Sequence, residues 1–322
     1  MSLPIKNVVV TAASGDLAEA VAGVLRDAFC GIILHGLDAG DLGPGSVVFD
    51  TMTQGPRADD ERFIPFLIEF CRERGADLLI PCFDGELIRL ASLSPDDARS
   101  LPLVLMARPE LVGIFLDKLE TARWLVSHGL PAPATWPLDQ APADRLPLVV
   151  KPRRGSGSVG VQVVRTPRLL AALGEELGSS YVAQVLVGTV DTEYTCAVLS
   201  LGEETRTLVL QRTLMAGRTV RATARRIPVV EDMLGRLAAA ARPDGPLNVQ
   251  LRLDGEGCPW IFEINPRFSS TVKMRHMLGF SDLAWMIGTR FGRPLPEFQP
   301  PAGRQVVRLS REFLLPTVRG EV

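Results

Sequence analysis

Leu247-Asn248-Val249-Gln250, followed by Ile261-Phe262-Glu263-Ile264-Asn265-Pro266-Arg267, decides how this chain is read. The turn-forming run Asp254-Gly255-Glu256-Gly257 lies between the two segments, so they are expected to be neighbouring strands of a hairpin. Residues two apart on a strand share a face, which puts Glu263 with Asn265 and Asn248 with Gln250. Gln250, Glu263 and Asn265 could then aim hard oxygens at one point, with Arg267 two residues on. That pattern suits Mg²⁺ and the phosphates it bridges. The spacing alone fits the exposed face of a surface hairpin equally well.

A second hairpin is expected upstream. Gly155-Ser156-Gly157-Ser158-Val159-Gly160 matches GxGxxG, but it falls between the strand-like runs Leu148–Lys151 and Val161–Val164. A dinucleotide fingerprint needs a helix directly after the loop, and a Walker A loop needs Lys where Val161 stands. A glycine-tipped hairpin lets backbone N–H groups approach phosphate and close over it; a merely flexible turn is the plainer alternative. Lys151, at the end of the entering strand, favours phosphate, its alternative being a solvated strand-end charge. Protein kinases also carry a glycine loop between strands, but HRD and DFG are both missing here.

Residues 7–105 alternate strand and helix, which predicts a parallel sheet covered on both faces. The expected strands are Asn7–Val10, Gly31–Leu34, 76–81 and Leu103–Met106, with a helix over Phe63–Arg74. Asp117 is placed to cap a helix, with Glu120 as its capping-box partner, and Thr166-Pro167 to start another. After residue 146 the strands become mostly antiparallel, with a helix over Val229–Ala241 between them. With 35 basic side chains against 37 acidic ones the net charge is −2, so no global field draws the chain to nucleic acid or anionic membrane. The five cysteines form no CxxC pair and read as free thiols of a reducing, cytoplasmic setting. No signal-peptide shape or membrane-length apolar run occurs.

These residues resemble the ATP-grasp superfamily, in particular its carbamoyl-phosphate-synthetase-like branch. The resemblance runs through Pro81-Cys82-Phe83-Asp84-Gly85-Glu86, Asp117-Lys118-Leu119-Glu120-Thr121, Val150-Lys151-Pro152, the glycine flap, Gln184-Val185-Leu186-Val187-Gly188, Glu193-Tyr194, Asn248-Val249-Gln250 and Glu263-Ile264-Asn265-Pro266-Arg267. It implies an α/β and α+β fold: a Rossmann-like pre-ATP-grasp domain over 1–112, a grasp N-terminal lobe with the flap over 113–187, and a C-terminal lobe with the Mg²⁺ site over 188–322.

The resemblance also implies roles. Lys118 and Lys151 would contact ATP phosphates or the adenine edge, and Gly155, Ser156 and Gly157 would cover the triphosphate. Gln184 and the backbone of Leu186 would lie at the adenine, and Glu193 would accept from the ribose hydroxyls. Gln250, Glu263 and Asn265 would hold one or two Mg²⁺ ions, or Mn²⁺ in their place, with Asn265, Lys151 and Arg267 taking part in phosphoryl transfer. Gln184 stands where an acidic residue is common, and two residues are inserted before Glu193.

The activity so implied is an ADP-forming ligase joining a small-molecule carboxylate to an amine through an acyl phosphate, with a homodimer left open. A small-molecule kinase of the same fold and a non-catalytic ATP-binding module are its rivals. An NAD(P) oxidoreductase would need more glycine than Thr11-Ala12-Ala13-Ser14-Gly15 offers. A length of 322 residues suits a stand-alone ligase better than a full carbamoyl phosphate synthetase. Asp84 and Glu86 are candidate substrate contacts, the alternative being a helix start. So are Arg221 and Arg225, in a run from Arg212 to Arg226 where the resemblance implies a mobile loop and a solvated face is the alternative, and His276 after the metal strand, the alternative being a structural helix histidine.

Overall fold

Val8, Val9 and Val10 are buried on both faces of their strand, as a central strand of a covered parallel sheet requires. The structure, a computed structural model, describes residues 5–155, 157, 159–309 and 312. Its N-terminal domain runs β1 (Asn7–Thr11), α1 (Asp16–Ala28), β2 (Ile33–Asp38), β3 (Thr51–Gln54), α2 (Phe63–Glu73), β4 (Leu78–Ile80), α3 (Asp84–Ala91), α4 (Pro95–Ser100) and β5 (Leu103–Val104). The five strands are parallel in the order β3-β2-β1-β4-β5. The order reverses between β1 and β4, so a crevice opens at their C-terminal ends. β3 was not expected: Thr51-Met52-Thr53-Gln54 is a half-buried edge strand without an apolar run. The second strand also lies later than Gly31–Leu34 suggested.

Next come α5 (Pro109–Phe115), α6 (Lys118–Ser127), β6 (Thr135–Pro137), β7 (Leu148–Pro152), β8 (Gln162–Val164), α7 (Pro167–Leu177) and β9 (Tyr181–Val185). They form an antiparallel sheet, β6-β9-β7-β8, covered by α7. Asp117 caps α6 by accepting from the N–H groups of Leu119 (3.1 Å) and Glu120 (3.2 Å). Glu120 does not close the expected box; its carboxylate turns to Arg153 and Arg123, because a strong cation outcompetes a backbone N–H.

The remaining elements are β10 (Glu193–Leu201), β11 (Glu204–Met215), β12 (Arg218–Arg225), α8 (Pro228–Ala241), β13 (Gly245–Leu253), β14 (Pro259–Asn265), α9 (Val272–Met277), α10 (Asp282–Arg290) and β15 (Gln305–Val307). Their strands make an antiparallel sheet in the order β14-β13-β10-β11-β12-β15. The arginine-rich segment is thus not a loop but the hairpin β11–β12, held because alternate positions such as Leu208, Leu210, Ala222 and Ala224 are buried. One sheet face, with Tyr194, Cys196, Val209 and Val249, packs on α8. The other, with Ala197, Leu199, Leu210 and Ala222, joins α1, α9 and α10 in one core shared with the N-terminal domain. No helix among the described residues is long and apolar enough to cross a membrane.

Candidate functional site

The face of the six-stranded sheet that is apolar against the N-terminal domain becomes polar beyond it. Cross-strand pairing sets Thr195 opposite Gln250, Gln250 opposite Glu263, and Asn248 opposite Asn265, all on that face. Glu263 Oε1 receives the side-chain N–H groups of Asn265 (3.1 Å) and Gln250 (3.4 Å), so the three side chains meet at one point. The turn feeding this floor is locked by Asp254, whose carboxylate accepts from Glu256 N (3.0 Å), Cys258 N (2.9 Å) and Trp260 Nε1 (2.8 Å).

Register slips between Gln250 and Leu251, and the slip leaves Phe262 as an unpaired extra residue on β14. Its freed carbonyl accepts from Lys151 Nζ (3.2 Å), and its ring lies 5.1 Å from that ammonium. Lys151 reaches across from β7 and also donates to Gln184 Oε1 (2.8 Å), while Gln184 Nε2 donates to Thr135 Oγ1 (2.9 Å). Burial drives the Lys151 pKa down to about 8 against the pull of Glu263. Lys118 Nζ donates to the flap carbonyl of Gly155 at 2.7 Å.

Glu193 is gripped from two sides, by Arg212 (2.5 Å) and Arg252 (2.8 Å). Burial raises its pKa, but the two arginines outweigh that and hold the carboxyl below its ordinary range. Arg212 also donates to Gln250 Oε1 (2.8 Å), linking Glu193 to the floor.

Between the two sheets lies a cavity of about 440 Å³. Lys118, Lys151, Gly155, Gly157, Gln184 and Leu186 line one side of it, and Glu193, Gln250 and Glu263 the other. Asn265 bonds Glu263, and Arg267 follows it in the chain and pairs with Asp84 of the N-terminal domain at 2.6 Å, but neither is among the residues lining this cavity. Ser156 lies outside the described residues.

Other candidates stand elsewhere. Strand alternation turns Arg221 and Arg225 to the sheet face away from the floor, and Arg225 binds Gln211. His276 does not face the cleft, because α9 carries it toward α1; its partners are Ser281 Oγ (2.8 Å) and Asp27 (3.6 Å). Glu86 is buried at the start of α3, accepting from Thr11 Oγ1 (2.5 Å) and Phe83 N (3.2 Å), which is the helix-start alternative. Missing from the sequence reading were Arg252, Trp260 and the bulged Phe262, and the inward direction of Arg212. Only the alternation of β11 could have singled out Arg212 from its run.

The floor fits Mg²⁺. Among the described residues no three His, Cys, Asp or Glu side chains converge on a metal position. Mg²⁺ needs no such cage: it takes one or two carboxylates, keeps waters, and completes its shell with phosphate oxygens. One carboxylate flanked by two amides supplies that, since amide oxygen and nitrogen exchange places by a flip.

Residues 115–271 match the model of the ATP-grasp domain. This part of the chain is an ATP-grasp domain. Comparison with curated protein sequences gives no match. Among solved structures, N5-carboxyaminoimidazole ribonucleotide synthetase from Thermus thermophilus is similar with a TM-score of 0.73 and 19% identity, over 93% of this chain and 82% of that one. L-amino acid ligase from Bacillus licheniformis gives 0.68 and 20%, over 89% and 74%. The biotin carboxylase domain of Hydrogenobacter thermophilus 2-oxoglutarate carboxylase, solved with MgADP, ADP and bicarbonate, gives 0.70 and 13%, over 92% and 71%. At these identities the likeness is one of fold, and it extends to the parallel domain that precedes the ATP-grasp domain.

Proposed function

We propose that the protein is an ATP-dependent ligase that joins a small-molecule carboxylate to an amine through an acyl phosphate, releasing ADP and phosphate. The opposition of Lys118 and Lys151 to Gln250 and Glu263 across one cavity, with Asn265 bonded beside Glu263, carries this reading. We divide the chain at 112/113 and 187/188, so that the cavity lies between the two lobes of the grasp domain.

A carboxylate does not react with amines at neutral pH, because oxide would have to leave; phosphorylation supplies a leaving group. The protein's part is to position the reactants and spread charge. Lys118 and Lys151 bind phosphate oxygens under the glycine flap. Gln184 holds Lys151 in place, and Leu186 lines the adenine end of the cavity. Glu193 accepts from the ribose with its arginines holding it ionised. Gln250, Glu263 and Asn265 would hold Mg²⁺, which when bound neutralises the β and γ oxygens. Arg267 stabilises the phosphoryl group as it passes to the carboxylate.

The test is a screen of phosphate release over paired panels of amino acids and carboxylic acids with Mg·ATP. ADP and phosphate released only when both co-substrates are present are expected. AMP and pyrophosphate, or a stable phosphorylated product without amine, would overturn the reading.

A further inference from the structure

We propose that Asp84 is a positioning residue: from the N-terminal domain it holds the Arg267 guanidinium in place for phosphoryl transfer on the grasp floor. The inference rests on the ligase reading above.

Arg267 stands two residues past Asn265, where β14 has ended and no strand pairing fixes the chain. Its Nε donates to Asp84 Oδ1 (2.6 Å) and its Nη1 to the carbonyl of Phe268 (3.0 Å). Nη2 makes no hydrogen bond among the described residues, so the terminal edge of the fork is left for another acceptor. Both side chains of the pair are largely covered, at 13% and 14% exposure. An arginine so covered needs a carboxylate beside it, and without one its long side chain regains rotamer freedom.

Asp84 is itself held firmly. It opens α3 at the C-terminal end of β4, beside the crevice between β1 and β4. The buried Glu86 carboxylate fixes that helix start through Phe83 N and Thr11 Oγ1. At Gly85 an added Cβ would come within 2.7 Å of the Phe83 ring, so that exposed ring would have to move aside. Asp84 is thus a rigid post, and Arg267 is clamped between it and its own backbone.

The junction does not need this pair merely to dock the domains. A shared apolar core joins them, and Lys273–Asp27 and Arg218–Asp16 pair across the same junction away from the cleft. The pair at the floor is the one that can act on chemistry, because preorganised charge is worth most where charge develops in the transition state.

The experiment measures binding of Mg·ADP with and without aluminium fluoride, a mimic of the phosphoryl group in transfer that needs no knowledge of the co-substrates. In the wild type aluminium fluoride should tighten Mg·ADP binding, and Arg267→Ala should lose most of that gain. Asp84→Asn should keep Mg·ADP affinity within about twofold and lose about tenfold or more of the fluoride-dependent gain. In the Arg267→Ala background Asp84→Asn should add nothing further, which a merely structural role would not produce. Asp84→Ser carries the same reading if Asp84→Asn does not fold. Full fluoride-dependent tightening in the Asp84 variants, or an undiminished effect of Asp84→Asn without Arg267, overturns the positioning role alone. A wild type that binds Mg·ADP but does not respond to aluminium fluoride, or an Arg267→Ala that responds fully, overturns the phosphoryl-transfer reading and this inference with it.

Discussion

Two hairpins face each other across the cavity and are built by opposite means. The floor hairpin, β13–β14, buries Leu247, Val249, Leu251, Ile261 and Ile264 on one face and pins its polar row with side-chain hydrogen bonds on the other. The flap between β7 and β8 leaves Val159, Val161 and Val163 exposed, at 77%, 44% and 44%, and turns at glycines with positive φ. Dense packing fixes side chains to fractions of an ångström, whereas a lightly packed glycine turn adapts to what lies beneath it. Under the proposed ligase reading, chemistry that depends on placed oxygens suits the floor and a cover over the triphosphate suits the flap.

The largest expected effect breaks the floor. Glu263→Gln should lower phosphate release from the productive substrate pair on the order of 10²–10³-fold, because it removes the one carboxylate of the oxygen set. The melting temperature should hold within a few degrees, since Gln preserves the shape. Retained turnover would show that the floor is not the reacting surface.

Lys151 sharpens the contrast through pH. Its pKa stands near 8 in the folded protein against an ordinary 10.5, with burial the chief cause. The folded chain therefore releases this proton earlier than the unfolded chain. The cost of burying the charge is full below pH 8, and this group adds stability as pH rises from about 8 to 10.5. Nucleotide binding should run the other way if Lys151 holds the phosphates as proposed, since they would need its ammonium. Mg·ADP affinity should fall above pH 8 by up to about tenfold per unit, and Lys151→Met should flatten the profile. A flat wild-type profile between pH 7 and 9 would remove Lys151 from the phosphate site.

On the flap, Gly160→Ala forces a side chain onto a φ of +71° and brings Cβ to 3.0 Å from the Tyr181 hydroxyl. The expected outcome is a rise of about two- to fivefold in the KM for ATP, from a strain of roughly 1 kcal/mol. A loss of turnover as large as that of Glu263→Gln would erase the distinction between the hairpins.

The smallest effect lies away from both. Burial lifts the Glu86 pKa to about 7, partly offset by its bonds to Thr11 and Phe83. A carboxyl raised from 4.5 to about 7 gives stability that is full below 4.5 and lost as pH rises through 7. Glu86→Gln should remove that slope from the melting temperature measured between pH 4.5 and 7.

The floor was legible because period-two alternation and a turn signal are local: Gln250, Glu263 and Asn265 meet in one of the two arrangements their spacing allowed. The parallel domain was legible from apolar runs such as Val8–Val10, while the half-buried edge strand Thr51–Gln54 carried no such run. The bulge at Phe262 and the grip of Arg212 and Arg252 on Glu193 were hidden, because register and cross-strand partners are set by packing between distant segments. The arginine run misled for the same reason. The resemblance implied a mobile loop, yet the apolar alternates Leu210, Ala222 and Ala224 make it a strand pair that sends Arg212 to the floor and Arg221 and Arg225 away from it. The Asp84–Arg267 pair spans 183 residues and left no trace in either motif.

The most direct test of the account is a calorimetric titration of ADP into the protein at increasing Mg²⁺, comparing wild type with Glu263→Gln. Wild-type binding should strengthen about tenfold or more with Mg²⁺, and the variant should bind ADP but gain little from the ion. Wild-type affinity indifferent to Mg²⁺, or an undiminished gain in the variant, would contradict it.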